Sequence, residues 1–273
     1  MWRGTAGSRR MIRLSANLGF LWPDRPLLDR IDAAAAAGFG AIELHWPYAV
    51  PAPDVRARCD AHGLALLGVN TVPGDLARGD FGLGALPGRQ AEFQAAVDQA
   101  IAYCAEANGR FVHCMAGKVP ADGKAAARAV FIDNLREAAA KAEPHGLTLL
   151  LEPMNPRDAP DYLIGTTSEG TALVSAVARA NVRLMFDCYH VAMSEGDVLG
   201  ELAAALPLVS HVQIASVPDR VEPDEGRLAY APVFAALERW GYEGWVGAEY
   251  RPRWDTDAGL GWMKAVALSP GRR

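Results

Sequence analysis

The chain has 273 residues, 51% of them apolar and 22% charged, with a net charge of −5. Such a composition suits one large globular domain with a sizeable core. It argues against a nucleic-acid partner, which needs a basic face, and no apolar run is long enough to span a membrane.

The first ten residues, MWRGTAGSRR, are basic and lack the apolar stretch of a secretory signal. They are expected to be a disordered or non-native extension, so that a single domain covers residues 11–273. From Met11 on, short continuous apolar runs alternate with helical stretches. Strands are predicted at 12–18, 41–44, 64–70, 111–115, 148–152, 183–187, 211–214 and 245–249. Their continuity is that of buried parallel strands. Helices are predicted at 26–37, 55–62, 89–107, 123–143, 168–179, 196–205, 230–240 and 255–265. Gly38, Gly63, Gly109, Gly146 and Gly241 each fall between a helix and the next strand, where a left-handed cap is wanted. Eight such units in strict alternation predict an α/β fold, a (β/α)₈ TIM barrel. The competing doubly wound dinucleotide fold would show a Gly-rich turn after its first strand. Here that position reads NLGFLWPDRP, so neither a nicotinamide nor a flavin is expected. The stretch 71–88, TVPGDLARGDFGLGALPG, is too long for an ordinary loop. It is either an exposed elaboration or a lid or partner-contact loop over the barrel mouth.

Four cysteines, Cys59, Cys104, Cys114 and Cys188, form no CxxC pair. They are expected to be reduced thiols of a cytoplasmic protein. Cys188, beside Asp187, is a weaker candidate nucleophile, because a strand neighbour of an inward residue points the other way.

The second half of the chain carries the chemistry. Glu152 closes TLLLEP, Asp187 closes VRLMFD, Gln213 lies in HVQIA and Glu249 in WVGAEY, at spacings of 35, 26 and 36 residues. Each spacing is about one strand-plus-helix unit. In a barrel all four would stand at the catalytic, C-terminal face. Three carboxylates buried together are costly unless a cation compensates them. Oxygen donors without thiolate favour a hard divalent ion, Mg²⁺ or Mn²⁺, over zinc.

The segments SANLGFLW, AGFGAIELHWPY, NTVPGD, VHCMAG, LLEPMNP, FDCYHVAMSEGD, HVQIASVPDRVEPDEGRLAY and GYEGWVGAEYRPR, which extend over nearly the whole chain, resemble the hydroxypyruvate isomerase family of xylose isomerase-like barrels. The resemblance implies a divalent metal on Glu152, Asp187, Gln213 and Glu249. It implies isomerisation of hydroxypyruvate to tartronate semialdehyde without a redox cofactor. Relatives acting on 2-oxo-tetronates or as ketose 3-epimerases leave the substrate open. A non-enzymatic sugar-acid-binding barrel and a multi-metal phosphodiesterase on the same fold are the readings from other classes; six histidines, few of them at strand ends, speak against the latter.

Within that reading, Glu152 and Glu249 are the candidate acid–base pair for an enediolate mechanism. Their mutual repulsion is expected to push their titrations apart. His190, in DCYH, either stabilises the oxyanion or orients Asp187. Arg220, in PDRVEP, either forks the substrate carboxylate or pairs with Asp219 or Glu222. His113, Glu43 and Asn70, at strand ends, are substrate-pocket candidates, with a core role the alternative for His113. His45 and Lys118 are weaker ones, and Trp22, Trp46 and Tyr48 are candidate pocket walls. His211, one layer below Gln213, is expected to be buried, and His62 and His145 to sit at helix C-termini. The expected partner is a small molecule; the oligomeric state is left open between monomer and homo-oligomer.

Overall fold

The computed structural model describes residues 12–267; the expectation for the first ten residues and Met11 lies outside them. Eight parallel strands close into one barrel in chain order. They are β1 (Arg13–Asn17), β2 (Ala41–Glu43), β3 (Ala65–Asn70), β4 (Phe111–His113), β5 (Thr148–Leu151), β6 (Val182–Asp187), β7 (Val209–Ile214) and β8 (Trp245–Ala248). Between and after them run α1 (Leu27–Ala36), α2 (Ala52–His62), α3 (Gln90–Glu106), α4 (Lys124–Ala142), α5 (Thr167–Val177), α6 (Cys188–Ser194), α7 (Val198–Ala205), α8 (Tyr230–Arg239), α9 (Thr256–Gly259) and α10 (Trp262–Ala267). Every predicted strand is present.

Three expectations are corrected. Helix α6 falls where no helix is predicted, directly after β6. Asp187 caps it, its Oδ1 accepting from the Tyr189 amide at 2.8 Å. Cys188 is therefore the first residue of a helix rather than a strand neighbour; it is buried, and burial pushes its thiol well above the usual range. The last predicted helix is broken into α9 and α10. Of the five cap glycines, Gly38, Gly63, Gly146 and Gly241 have positive φ, but at the fifth position Asn108 takes that conformation (φ 60°) instead of Gly109.

Alternation along the strands sorts the core into two parts. Val112, Leu149, Leu151, Leu184, Phe186, Val212 and Val246 join the main cluster with the helices. Ala41, Leu67, Phe111, Leu150 and Met185 form a separate small cluster that plugs the barrel interior. Two residues further along four of the same strands stand Glu43, His113, Glu152 and Asp187, all buried. The apolar plug is thus roofed by polar side chains at the C-terminal face.

The stretch 71–88 is neither an open elaboration nor a free lid. It folds back on the end of β4: the Gly84 and Ala85 amides donate to the Met115 and Ala116 carbonyls at 3.1 and 2.7 Å. Gly82 and Gly117 meet backbone to backbone. A Cβ on Gly82 would lie 2.7 Å from the Gly117 nitrogen, so both positions require glycine. Within the stretch, residues 75–79 are exposed while Leu83 and Ala85 are buried.

Candidate active site

The four strand-end residues all stand at the C-terminal mouth, and all are buried, with no more than 6% of their surface exposed. Glu152 and Glu249 follow β5 and β8 by one residue, Asp187 ends β6, and Gln213 pairs with it across β7. Ligand atoms of Glu152, Asp187 and His190 lie within 4.8 Å of one another. Arg220 ties Glu249 to Asp187, its Nη2 donating to Glu249 Oε2 at 2.9 Å and to Asp187 Oδ2 at 3.3 Å. The anticipated pairs of Arg220 with Asp219 or Glu222 are not formed. Glu222 instead accepts from the Arg253 amide, and the further partner of Arg220 is Asp158, at 3.8 Å. Arg220 itself has a left-handed backbone (φ 55°), held by its amide on the Ser216 carbonyl and by Ser216 Oγ accepting from the Val221 amide. Such a conformation costs energy outside glycine, and these two bonds hold it in place.

The acid–base candidates are driven apart, but mutual repulsion acts on Glu152 while Arg220 and His45 set Glu249. Burial first, then the Glu249 charge, raises the Glu152 carboxyl well above its ordinary range. For Glu249 burial pushes upward, but Arg220, then His45, pull it down to about 2. Its Oε1 also accepts from Asn17 Nδ2 at 3.1 Å and lies 3.3 Å from His45 Nε2. Asp187 sits between these cases: burial raises it to about 8 although Arg220 opposes the shift.

His190 has a defined tautomer. Its Nδ1 accepts from the Asn155 amide at 3.1 Å and lies 2.6 Å from Asn155 Nδ2. The Asn155 amide orientation is settled in turn, because its Oδ1 accepts from the Arg157 and Asp158 amides. Burial, then Arg220, hold the His190 imidazole neutral well below its usual pKa. A neutral ring with an accepting Nδ1 carries its proton on Nε2. That N–H faces Glu152 Oε1 at 3.7 Å and Asp187 Oδ2 at 3.6 Å. In this state the His190 Nε2–H points toward both carboxylates from beyond hydrogen-bond distance.

The remaining candidates separate by depth. Glu43 does not open toward a substrate. Its Oε1 accepts from Ser15 Oγ at 2.6 Å and lies 3.0 Å from His211 Nε2, and its Oε2 accepts from Gln213 Nε2 at 2.8 Å. It therefore orients Gln213 from below. Gly247 makes room for it, since a Cβ there would fall 2.2 Å from Glu43 Oε1. His113 is buried with both ring nitrogens unbonded, Nε2 lying 3.8 Å from Glu152 Oε2, and burial lowers its pKa to about 4. Asn70 ends β3 half-buried, its carbonyl accepting from the Tyr48 hydroxyl. Lys118 lies over the Phe81 ring. Trp22 is fully buried against Phe39 and hydrogen-bonds Asp257, so it is core and not a pocket wall. His211 is buried as anticipated. Asn17 and Asn155, which hold Glu249 and His190, have no sequence signal beyond their places after β-strand cores.

The donor set fits a divalent cation. Glu152 Oε1 and Gln213 Oε1 are buried acceptors without a hydrogen-bond partner. Around them stand four buried carboxylates, Glu43, Glu152, Asp187 and Glu249, of which Asp187 and Glu249 pair with the partly buried Arg220 guanidinium. All-oxygen donors of this kind suit a hard ion.

An eight-stranded parallel barrel with an acidic, oxygen-lined mouth defines a recognisable class of protein. The chain belongs to the xylose isomerase-like TIM barrel family, whose model matches residues 31–266. It is 45% identical over 255 residues to a 2-oxo-tetronate isomerase of Cupriavidus necator, covering 93% of this chain and 98% of that one. It is 42% identical to a putative hydroxypyruvate isomerase of Homo sapiens, covering 93% and 95%. A crystal structure titled AP endonuclease, family 2, from Brucella melitensis superposes with a TM-score of 0.90 at 42% identity, covering 93% and 99%. The chain is thus an enzyme of the isomerase class, like its named relatives. Among the described residues no helix is long and apolar enough to cross a membrane.

Proposed function

We propose that this enzyme isomerises a small hydroxy-oxo acid by moving a proton between adjacent carbons through an enediolate. The observation that carries this reading is the placement of two buried strand-end glutamates at one mouth, Glu249 bonded to Arg220 at 2.9 Å and Glu152 with its Oε1 unpartnered, which favours the ionised form of the first and the neutral form of the second. One carboxylate ready to take a proton and one carboxylic acid ready to give one are what a 1,2-proton shift needs. Glu249 takes the proton from the carbon next to the carbonyl. Glu152 gives one to the former carbonyl carbon, the hydroxyl proton passes to the former carbonyl oxygen, and proton exchange with solvent returns Glu249 to its ionised and Glu152 to its neutral form. His190 donates its Nε2 hydrogen to the oxygen that gains charge, and being neutral it does so without protonating that oxygen fully. Arg220 keeps Glu249 and Asp187 in register beneath the substrate. Glu152, Asp187, Gln213 and Glu249 would hold Mg²⁺ or Mn²⁺, which supplies the Lewis acidity that makes the C–H bond acidic. No nicotinamide or flavin enters this chemistry.

The parent reaction is hydroxypyruvate to tartronate semialdehyde. The four-carbon homologue, a 2-oxo-tetronate, is the second reading, favoured by the 45% identity to the Cupriavidus necator enzyme. Steady-state kinetics on both acids with Mn²⁺, and after chelation, test the proposal. Turnover that vanishes with chelator and returns with Mn²⁺ or Mg²⁺ is the expected result. Full activity in a preparation shown by elemental analysis to be metal-free would refute the mechanism. A much larger kcat/KM for the longer acid would replace the parent reaction by the second reading. Cleavage of an abasic-site duplex with no isomerase activity would move the chain to a different class.

A further inference from the structure

The barrel mouth holds two cations that the proton shift does not use. A cavity of about 330 Å³ opens beside the carboxylate cluster, lined by Arg157, Asp158, Tyr189, Asp219, Arg220 and Arg251 together with Pro218. Arg220 is committed: its guanidinium reaches Glu249, Asp187 and Asp158. Arg157 and Arg251 are not. Both are exposed, and neither has an acidic partner within ion-pair distance among the described residues, whereas nearby Arg253 is paired with Glu225.

These two side chains come from separate elements, one after β5 and one after β8, yet each is anchored to the catalytic groups through its backbone. The Arg157 amide donates to Asn155 Oδ1 at 3.1 Å, in the same turn that fixes His190. The Arg251 amide donates to the Arg220 carbonyl at 2.8 Å. The Arg251 guanidinium then lies 5.5 Å from the centre of the Phe20 ring, whose ring also faces Arg220 at 5.1 Å. Two guanidiniums without an acidic partner beside a third that is already paired offer a place for an added anion. Two aspartates line the same cavity, and Asp158 is already engaged by the Tyr189 hydroxyl at 2.8 Å. With Arg220 committed to its carboxylates, Arg157 and Arg251 are the cations of this lining without an acidic partner within ion-pair distance among the described residues. Guanidinium forks also fit the planar, two-oxygen edge of a carboxylate.

We propose that Arg157 and Arg251 form the subsite that receives the substrate's carboxylate, and that they select hydroxy-oxo acids over neutral ketoses of equal length. This rests on the isomerase reading of the same mouth and assigns the end of the substrate that reading leaves unplaced. It also orients the substrate: an acid anchored there presents its carbonyl end to His190 and the glutamates.

The test uses the full-length protein loaded with Mn²⁺, in Arg157→Gln, Arg251→Gln and doubly substituted forms. The acid substrate, hydroxypyruvate or 2-oxo-tetronate, is compared with the neutral ketose erythrulose. Each single substitution is expected to raise KM for the acid roughly tenfold, and the double roughly a hundredfold, as for loss of a charged hydrogen bond. The ratio of kcat/KM for acid over erythrulose falls by the same factors, while the melting temperature stays put because both side chains are exposed. An unmoved KM for the acid, or an equal rise for both substrates, overturns the proposal. Calorimetric titration with erythronate, a four-carbon sugar acid that cannot isomerise, and with inorganic phosphate gives a readout free of turnover. Weaker erythronate binding in the variants supports the subsite even if the wild type turns over no substrate, in which case the isomerase reading alone fails. Phosphate binding tighter than erythronate and lost in the double variant would assign the subsite to a phosphoryl group and overturn the carboxylate assignment.

Discussion

Gln213 gives its Nε2 hydrogen to Glu43 Oε2 across 2.8 Å, and this one bond decides which end of the amide faces the carboxylate cluster. With the nitrogen turned down, the buried Oε1 is left without a hydrogen-bond partner among Glu152, Asp187 and Glu249. Replacing Glu43 by Gln keeps the volume but permits the Gln213 amide to turn over. Mn²⁺ affinity, measured by calorimetry or electron paramagnetic resonance, is expected to fall roughly 10–100-fold, the usual effect of losing an orienting partner behind a metal ligand. Unchanged affinity would show that Glu43 does not set the orientation.

Gly247→Ala attacks the same contact sterically. Its Cβ would meet Glu43 Oε1 at 2.2 Å and His211 Nε2 at 2.9 Å. Overpacking of this kind costs about 1–3 kcal/mol, and denaturant unfolding is expected to show it as a lower midpoint at constant slope. The same variant is expected to lose Mn²⁺ affinity, because the carboxylate that is displaced is the one holding Gln213.

Replacing either strand-end glutamate by glutamine removes a proton carrier. Glu152→Gln and Glu249→Gln are each expected to lower kcat by roughly 10²–10⁴. Both variants are expected to fold, since each retains a polar group of the same shape. Residual activity within a factor of a few of wild type, in single-turnover experiments with bound metal, would remove that residue from the mechanism.

His190→Ala removes one donor to a developing oxyanion, a loss of roughly 10²–10³ in kcat. The distinguishing readout is the pH profile. The ring is neutral well below pH 6.5, so no limb of the wild-type profile between pH 6 and 8 belongs to it, and the variant's profile keeps its shape. Loss of an acid limb near pH 6.5 in the variant would make His190 a titrating base instead of a donor.

Stability of the metal-free protein is expected to depend on pH in a particular window. The folded-state pKa of Asp187 is raised from 3.8 to about 8. Its contribution is fully present below the unfolded pKa and is lost as pH rises through the folded one. His113 works in the opposite sense. Its folded pKa is lowered from 6.5 to about 4, so its contribution is present above 6.5 and is lost as pH falls through 4. Between pH 6.5 and 8.5 only the carboxyl limb acts, and the melting temperature in chelator is expected to fall across it. Mn²⁺ binds the ionised carboxylate, so its stabilising effect is expected to grow over the same range. A melting temperature that rises from pH 6.5 to 8.5 in chelator would contradict the raised pKa of Asp187.

Much of the barrel could be read from the chain because the strands are short, apolar and continuous, and four of them begin shortly after a helix closed by a left-handed glycine. The strand-end residues Glu152, Asp187, Gln213 and Glu249 were legible for the same reason, since the βα repeat converts linear spacing into convergence. Helix α6 was not legible, because Asp187 serves both as a strand end and as a helix cap, and the strand reading masks the cap. Glu43 looked like a pocket residue because it too ends a strand. Only the cross-barrel bond to Gln213 and the missing side chain at Gly247, 170 and more residues away, reveal it as a support. The tautomer of His190 depends on an asparagine thirty-five residues earlier, a contact that no local pattern carries.

The meeting of Gln213, Glu43 and Gly247 under the site has an evolutionary corollary. An imidazole in place of the amide would have to offer its ring N–H to Glu43 from a different position, in a space where Gly247 leaves room for the present carboxylate alone. The three positions are therefore expected to change together or not at all, each neutral only on the background set by the other two. Anyone seeking to convert this barrel toward another donor set would begin beneath the floor of the pocket and not at its rim.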